Sequence, residues 1–188
     1  MGMPAAQTRW TVAMLDALPD DAERHEIIDG ELFVTPAPGE AHQLVIARLL
    51  VQLDAYLERY PIGRVLASPA DVWRDERRFN RVQPDLFVVR LTDGKRPAYP
   101  YHLRDLLLAI EVASPGNPLL DYQVKRDRYL REGLAEYWVV NVEVRNVSRW
   151  RQRDDPGEVL SRQLDWSPPG AASPFVLDLG PFFESAIA

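Results

Sequence analysis

Three charged residues stand where the surrounding pattern calls for something else. Glu111 interrupts Leu106–Ala113, a run apolar on both faces that reads as a central strand. An ionised carboxylate there is expensive unless it is paired or holds a cation. Both readings stand: a Glu–Arg pair, or a cation ligand. Asp85 follows Pro84 at the mouth of the preceding strand, Leu86–Leu91. Pro-Asp is also an ordinary turn pair, so Asp85 alone is weak evidence. Lys125 falls mid-helix. Asp121, Lys125 and Tyr129 recur at i, i+4 and i+8 with Tyr122 beside them, so they share one face. The plain alternative is an Asp–Lys helix pair worth a few tenths of a kcal/mol, roughly. Two carboxylates from neighbouring strands plus one lysine are what a Mg²⁺-dependent phosphodiester hydrolase needs. Hard oxygen ligands suit Mg²⁺, which activates water and neutralises phosphate charge. An ammonium can hold the attacking water and the scissile phosphate together.

The elements that must position these groups follow from periodicity and punctuation. Thr11–Leu18 predicts a short helix capped by Thr11 and ended by Pro19. His25–Thr35 predicts a hairpin turning at Asp29-Gly30, with Glu26 alternating with Ile28. After the loop Pro36–Gly39, Ala41–Tyr60 predicts a helix with the stripe Val45, Ile46, Leu49, Leu50, Leu53, Leu57. His42 stands at its start, in line with that stripe. Strands are expected at Arg64–Ser68, Asp71–Arg74, Leu86–Leu91, Leu106–Ala113, Tyr137–Val142 and Val147–Gln152. Ser114–Pro118 breaks the chain before a helix, Pro118–Glu132, with Gly133 as its C′ residue. Thr92–Tyr101 and Asp154–Pro174 read as Gly/Pro loops, and Phe175–Phe183 as a tail that packs back. The mixed order predicts an α/β or α+β fold around a mixed sheet. It is read as a single domain, 1–188, with a core over 11–142 and C-terminal strands, loop and tail over 143–188.

Composition narrows the classes. The chain has 188 residues, 46% hydrophobic and 27% charged, an ordinary globular balance. The absence of cysteine excludes disulfides, thiolate zinc sites and Cys nucleophiles. A net charge of −6 argues against a non-specific nucleic-acid coat protein. Arginines cluster locally, at Arg74–Arg81 and Arg126–Arg131, so a basic rim is compatible with an acidic protein. Of 22 basic residues only Lys95 and Lys125 are lysine. A position that keeps lysine in such a chain calls for a compact ammonium. No signal peptide or spanning segment is recognisable, and a cytoplasmic location is expected.

Taken together, Pro84-Asp85, Ile110-Glu111-Val112-Ala113-Ser114-Pro115, Asp121-x-x-x-Lys125-x-x-x-Tyr129 and Gly133-x-x-Glu136-Tyr137-Trp138-Val139-Val140 closely resemble the Uma-type putative restriction endonuclease family. That family belongs to the PD-(D/E)XK nuclease superfamily. His25–Leu32 and His42 also match, so the resemblance spans about Thr11 to Val142. It implies a restriction-endonuclease-like core: a mixed central β-sheet flanked by helices, with an N-terminal β-hairpin. It implies Asp85 and Glu111 as ligands of Mg²⁺ or Mn²⁺, with Glu26 as a further metal or supporting carboxylate. Lys125 takes the role of the lysine that the superfamily usually carries two residues after the Glu, where this chain has Ala113. His42 is implied as a base or phosphate contact, with Asp121 and Tyr129 supporting. Asn141 replaces an acid common in the family. The implied activity is DNA endonuclease, the partners DNA and, by the logic of two-strand cutting, a second copy of the chain. The competing readings are a catalytically silent nuclease-fold binding protein and a metal-dependent hydrolase of a small phosphorylated substrate.

Overall fold

A computed structural model describes residues 9–19, 23–75, 80–113, 116, 118–151 and 156–187, with the backbone alone for 73–75. Four expectations fall partly outside the described residues. These are the break at Ser114–Pro118, of which 116 and 118 are described, the arginine cluster between Arg74 and Arg81, the end of the strand Val147–Gln152 and the start of the loop Asp154–Pro174.

The core is a six-stranded sheet in the order β10-β9-β8-β7-β6-β3. Its strands are β3 (Gly63–Ala67), β6 (Leu86–Arg90), β7 (Leu106–Val112), β8 (Glu136–Asn141), β9 (Asn146–Arg151) and β10 (Glu158–Leu160). β7 and β8 run parallel, with Glu111 paired to Val139, and the other pairs are antiparallel. Parallel neighbours need a crossover, and the helical segment between them supplies it. All seven residues of β7 are buried because both faces of the sheet are covered.

One face packs against α2 (Glu40–Arg59) and α4 (Leu179–Ile187), through Leu49, Leu53, Leu57, Trp138, Phe182 and Phe183. The other packs Phe87, Ala109, Tyr129, Tyr137, Val139 and Trp150 beneath the crossover. A smaller sheet, β2-β1-β5-β4, contributes Ile28, Val72 and Val82 to that second cluster. It comprises β1 (Arg24–Ile28), β2 (Glu31–Thr35), β4 (Val72–Asp75) and β5 (Asn80–Val82). The hairpin forms as expected. Asp29 and Gly30 both have positive φ, 54° and 84°, the conformation a two-residue turn between twisted strands requires. Helix α1 (Val12–Asp16) is capped by Thr11, whose hydroxyl accepts from the Met14 N–H at 3.2 Å.

The mixed sheet flanked by helices with an N-terminal hairpin is the architecture expected. Two local expectations are corrected and one strand is added. The stretch 154–174 is not one loop: it holds β10 and β11 (Gln163–Trp166), and β11 pairs with β12 (Phe175–Asp178). Alternation in Leu164 and Trp166 buries one side of β11, a signal that flanking Pro and Gly obscure. The C-terminal tail ends in a helix, α4, whose apolar face joins the core. The charged stretch before Pro84 contains β5, which pairs with β1 through Ile27 and Arg81.

The crossover also differs in form. Leu120–Lys125 is π-helical and passes into α3 (Arg126–Arg131). A π turn takes more residues than an α turn, and such segments are frequent at functional sites. This one carries Asp121 and Lys125. Its geometry is pinned by Tyr137 of β8, whose hydroxyl donates to the Asp121 carbonyl at 3.0 Å. Gly133, at φ 93°, ends the helix, and the Leu134 N–H reaches back to the Tyr129 carbonyl at 3.1 Å. Removing the Tyr137 anchor tests its weight. Tyr137→Phe is expected to lower stability by about 1 kcal/mol, the usual worth of a neutral buried hydrogen bond. Urea denaturation should show a lower midpoint at unchanged slope.

Candidate active site

The pairing of Leu86 with Ile110 continues outward to place Asp85 opposite Glu111. Directly opposed residues project to the same face of a sheet. The same face is met by the crossover, carrying Asp121, Lys125 and Tyr129, and by β1, carrying Glu26. Four segments far apart in sequence thus deliver their polar groups to one end of the sheet.

Lys125 is the centre. It is fully buried, and its Nζ lies 2.8 Å from Glu26 Oε2, 3.0 Å from Glu111 Oε1 and 3.7 Å from Asp121 Oδ1. Tyr129 donates its hydroxyl to the same Glu111 Oε1 at 3.3 Å. Glu26 Oε1 accepts the Gln83 backbone N–H at 2.8 Å. Asp85 is held from three sides. Arg24 Nη1 lies 2.5 Å from Oδ1, while the Val112 N–H (2.8 Å) and His42 Nε2 (3.2 Å) meet Oδ2. All seven expected site residues are therefore in one connected cluster.

The electrostatics follow from burial and neighbours. Burial alone would raise Asp85, but the His42 hydrogen bond and the Arg24 guanidinium hold it well below the usual carboxylate range. Burial pushes Glu111 well above that range. Lys125 opposes the shift, while Asp85, Asp121 and Glu26 add to it. Burial likewise carries Asp121 up to about 6, again against Lys125. For Lys125 burial favours the neutral amine, yet Glu111, Glu26 and Asp121 outweigh it and raise the group above an ordinary lysine. Lys125 is a permanent ammonium. It cannot serve as a general base, which needs a pKa near the working pH.

Within this cluster four carboxylates, Glu26, Asp85, Glu111 and Asp121, face two permanent cations, Arg24 and Lys125. The surplus of acid is what drives Glu111 and Asp121 upward. It is also the charge that one divalent cation neutralises. The donors are hard oxygens, and Glu111 Oε2 is buried without a hydrogen-bond partner. Glu26 Oε2 is within ion-pair reach of Lys125 but receives no well-directed hydrogen bond. The donor set thus suits a hard divalent metal. Among the described residues no three His, Asp or Glu side chains surround one point as a ready-made metal cage. The protein's own cations occupy the places between the acids.

A cleft of 680 Å³ reaches this cluster from the hairpin side. Its wall includes Arg24, His25, His42, Arg81, Gln83 and Asp85. Glu111 and Lys125 do not line it. Arg81 is already engaged, by Asp71 at 3.0 Å and by Asp16. The His42 Nδ1, remote from Asp85, is buried without a hydrogen-bond partner.

The chain that carries this constellation is matched by a family model over most of its length. The model, Uma2, described as "Putative restriction endonuclease", covers residues 12–177. The chain belongs to the Uma2 family. The match runs beyond Val142, where the legible motifs stop, takes in β9 to β11 and reaches into β12. The fold is also similar to the crystal structure of a putative nuclease of the DUF820 group from Anabaena variabilis ATCC 29413. The TM-score is 0.67 at 18% identity, over 94% of this chain and 99% of that one. No curated protein matches the sequence. Among the described residues no helix is long and apolar enough to cross a membrane.

Ala113 and Asn141, singled out in the sequence, both have structural consequences. Ala113 leaves no lysine on β7 itself, and the π-helical segment brings Lys125 to Glu111 from above the strand. Asn141 organises the turn after β8: its side-chain oxygen accepts the N–H groups of Glu143 and Val144, both at 3.1 Å. Arg24 went unnoticed in the sequence. Its one signal was alternation, since Arg24 and Glu26 lie on the same side of β1.

The raised Asp121 has a measurable consequence for folding. A carboxyl whose folded pKa exceeds its unfolded value stabilises the fold below the unfolded value. That contribution is lost as pH rises through the folded value. The window here is pH 4 to 6 and just above. The stability of the wild type relative to Asp121→Asn is expected to fall by up to about 3 kcal/mol between pH 4 and pH 7 in metal-free buffer. Paired urea titrations at several pH values measure this. A difference independent of pH contradicts the assignment.

Proposed function

We propose that the protein is a metal-dependent DNA endonuclease, with Mg²⁺ or Mn²⁺ held by Asp85, Glu111 and Glu26. One observation supports this most: a buried surplus of acid, with Glu111 Oε2 lacking a partner, at the positions where the family resemblance implies metal ligands. The cation supplies charge neutralisation at the phosphate and lowers the pKa of water.

The chain's own residues do the rest. Lys125, locked as an ammonium, orients the attacking water and stabilises negative charge on the scissile phosphate. Tyr129 and Asp121 hold Glu111 and Lys125 in register. Asp85 fixes the His42 ring through Nε2, so that Nε2 carries the proton and Nδ1, buried without a hydrogen-bond partner, keeps its lone pair. In that tautomer His42 accepts the proton as the water oxygen attacks phosphorus and the P–O bond to the leaving nucleotide breaks. The leaving oxygen is protonated from solvent. Two cuts on opposite strands need two such sites, which a two-fold homodimer supplies.

Incubation of supercoiled plasmid with Mn²⁺ tests the proposal. Nicking is expected for the wild type and not for a metal-chelated sample. Asp85→Ala, Glu111→Gln and Lys125→Met are each expected to lose about 100-fold or more in rate, roughly 3 kcal/mol of transition-state stabilisation. Equal nicking by all four proteins would indicate a contaminant. Well-folded wild type that binds Mn²⁺ and DNA but never cuts would support the silent binding protein instead.

Lys125→Met carries a second readout, independent of activity. It strands three buried carboxylates, so the metal-free variant is expected to lose about 3–5 kcal/mol of stability. Added Mn²⁺ should raise its melting temperature by more than it raises that of the wild type. Equal shifts in the two proteins would mean that the ion binds elsewhere.

A further inference from the structure

Asp85 presents two oxygens, and they differ in what covers them. Oδ2 is held by the Val112 backbone N–H at 2.8 Å, a donor fixed in the sheet, and by His42 Nε2 at 3.2 Å. Oδ1 is covered by Arg24 Nη1 at 2.5 Å. Oδ1 is thus the oxygen that exchange can open, and a side chain is what closes it. Arg24 is only partly committed. Its side chain is 22% exposed and lines the 680 Å³ cleft. Its Nη1 also donates to the Gln83 carbonyl, at a long 3.3 Å. Its Nε is buried with no hydrogen-bond partner, 3.7 Å from Glu26 Oε2. A guanidinium carries five donors in a planar fork suited to phosphate. Arg24 satisfies few of them in its present position.

We infer that Arg24 is a latch on the metal-binding carboxylate. It covers Asp85 Oδ1 while the site lacks a metal ion, and it is displaced into the cleft, as a phosphate-binding guanidinium, when the ion takes that oxygen. The inference rests on Asp85 being a metal ligand, as proposed above. The physical logic is charge exchange. Arg24 and a divalent cation compete for one oxygen, and the freed arginine meets the anionic substrate that the loaded site serves. Arg81, the other arginine on the cleft wall, is tied to Asp71 and Asp16, which leaves Arg24 as the wall cation whose partner a metal would take.

The test is a double-mutant cycle on metal affinity, read by calorimetry with Mn²⁺ on the full chain. Arg24→Met is expected to bind Mn²⁺ roughly 10- to 100-fold more tightly than the wild type, the worth of one charge-assisted contact. In an Asp85→Asn background the same substitution is expected to change Mn²⁺ affinity little. With saturating Ca²⁺ and a short DNA duplex, Arg24→Met is expected to bind DNA at least several-fold more weakly in fluorescence anisotropy. Equal Mn²⁺ affinity in wild type and Arg24→Met overturns the latch. So does an equal tightening in both backgrounds, which would mark a diffuse charge effect. Unchanged DNA affinity overturns the phosphate role. Absence of Mn²⁺ binding in every protein would instead overturn the metal site itself, and the latch with it. Should Arg24→Met fail to fold, Arg24→Lys keeps the charge without the fork, and its expected shifts have the same signs and are smaller.

Discussion

The structure depends on one ammonium placed among buried carboxylates. Lys125 Nζ touches Glu26 from the N-terminal hairpin and Glu111 from the central strand, with Asp121 from its own helix close by. Each of those acids would be prohibitively expensive to bury alone. Held around one cation they are tolerable, and the three elements become mutually dependent. The hairpin cannot leave the sheet without stranding Glu26. The crossover helix cannot unwind without stranding Glu111. A second cation, Arg24, does the same for Asp85 on the cleft side. The site therefore acts as an internal joint as much as a candidate reaction centre.

That arrangement explains why the charges remain out of balance. A stability-optimised interior would match acids and bases or dispense with both. Here the acids outnumber the permanent cations, and two of them, Glu111 and Asp121, are driven toward their neutral forms. Perturbed carboxyls of this kind cluster at functional sites. A surplus of hard oxygen donors beside a cleft is consistent with a protein in the Uma2 family, and the local fit is worse for folding than it needs to be. The π-helical segment belongs to the same economy. It sets Lys125 over the strand end, where this chain has Ala113 rather than a lysine on the strand itself.

Much of this is legible in the sequence. The apolar run broken by Glu111, the Pro-Asp at Asp85 and the lone mid-helix Lys125 all announce themselves by violating the local pattern. Their order carries the family resemblance, and every residue so named falls in the cluster. The hairpin, α2 and the central strands follow from period and turn chemistry, which are local properties. Less legible were β5, β10, β11 and α4. Their sequences are short, charged or interrupted by Pro and Gly, and their burial comes from partners distant in the chain. Arg24 was invisible for a related reason: an arginine on a half-exposed strand is unremarkable until its neighbour across the fold is known.

The division is physical. Residue type and spacing settled which groups are chemically able to act, because burying a carboxylate or keeping a lysine in an arginine-rich chain is unusual whatever the fold. They also settled the mixed α and β character, because side-chain period reports local backbone geometry. Which cation meets which acid was decided only in three dimensions. Lys125 with Glu26 spans 99 positions and Arg24 with Asp85 spans 61, and no local rule couples residues so far apart. The strength of the coupling, and the direction in which each carboxyl shifts, arise from desolvation that only the closed core imposes.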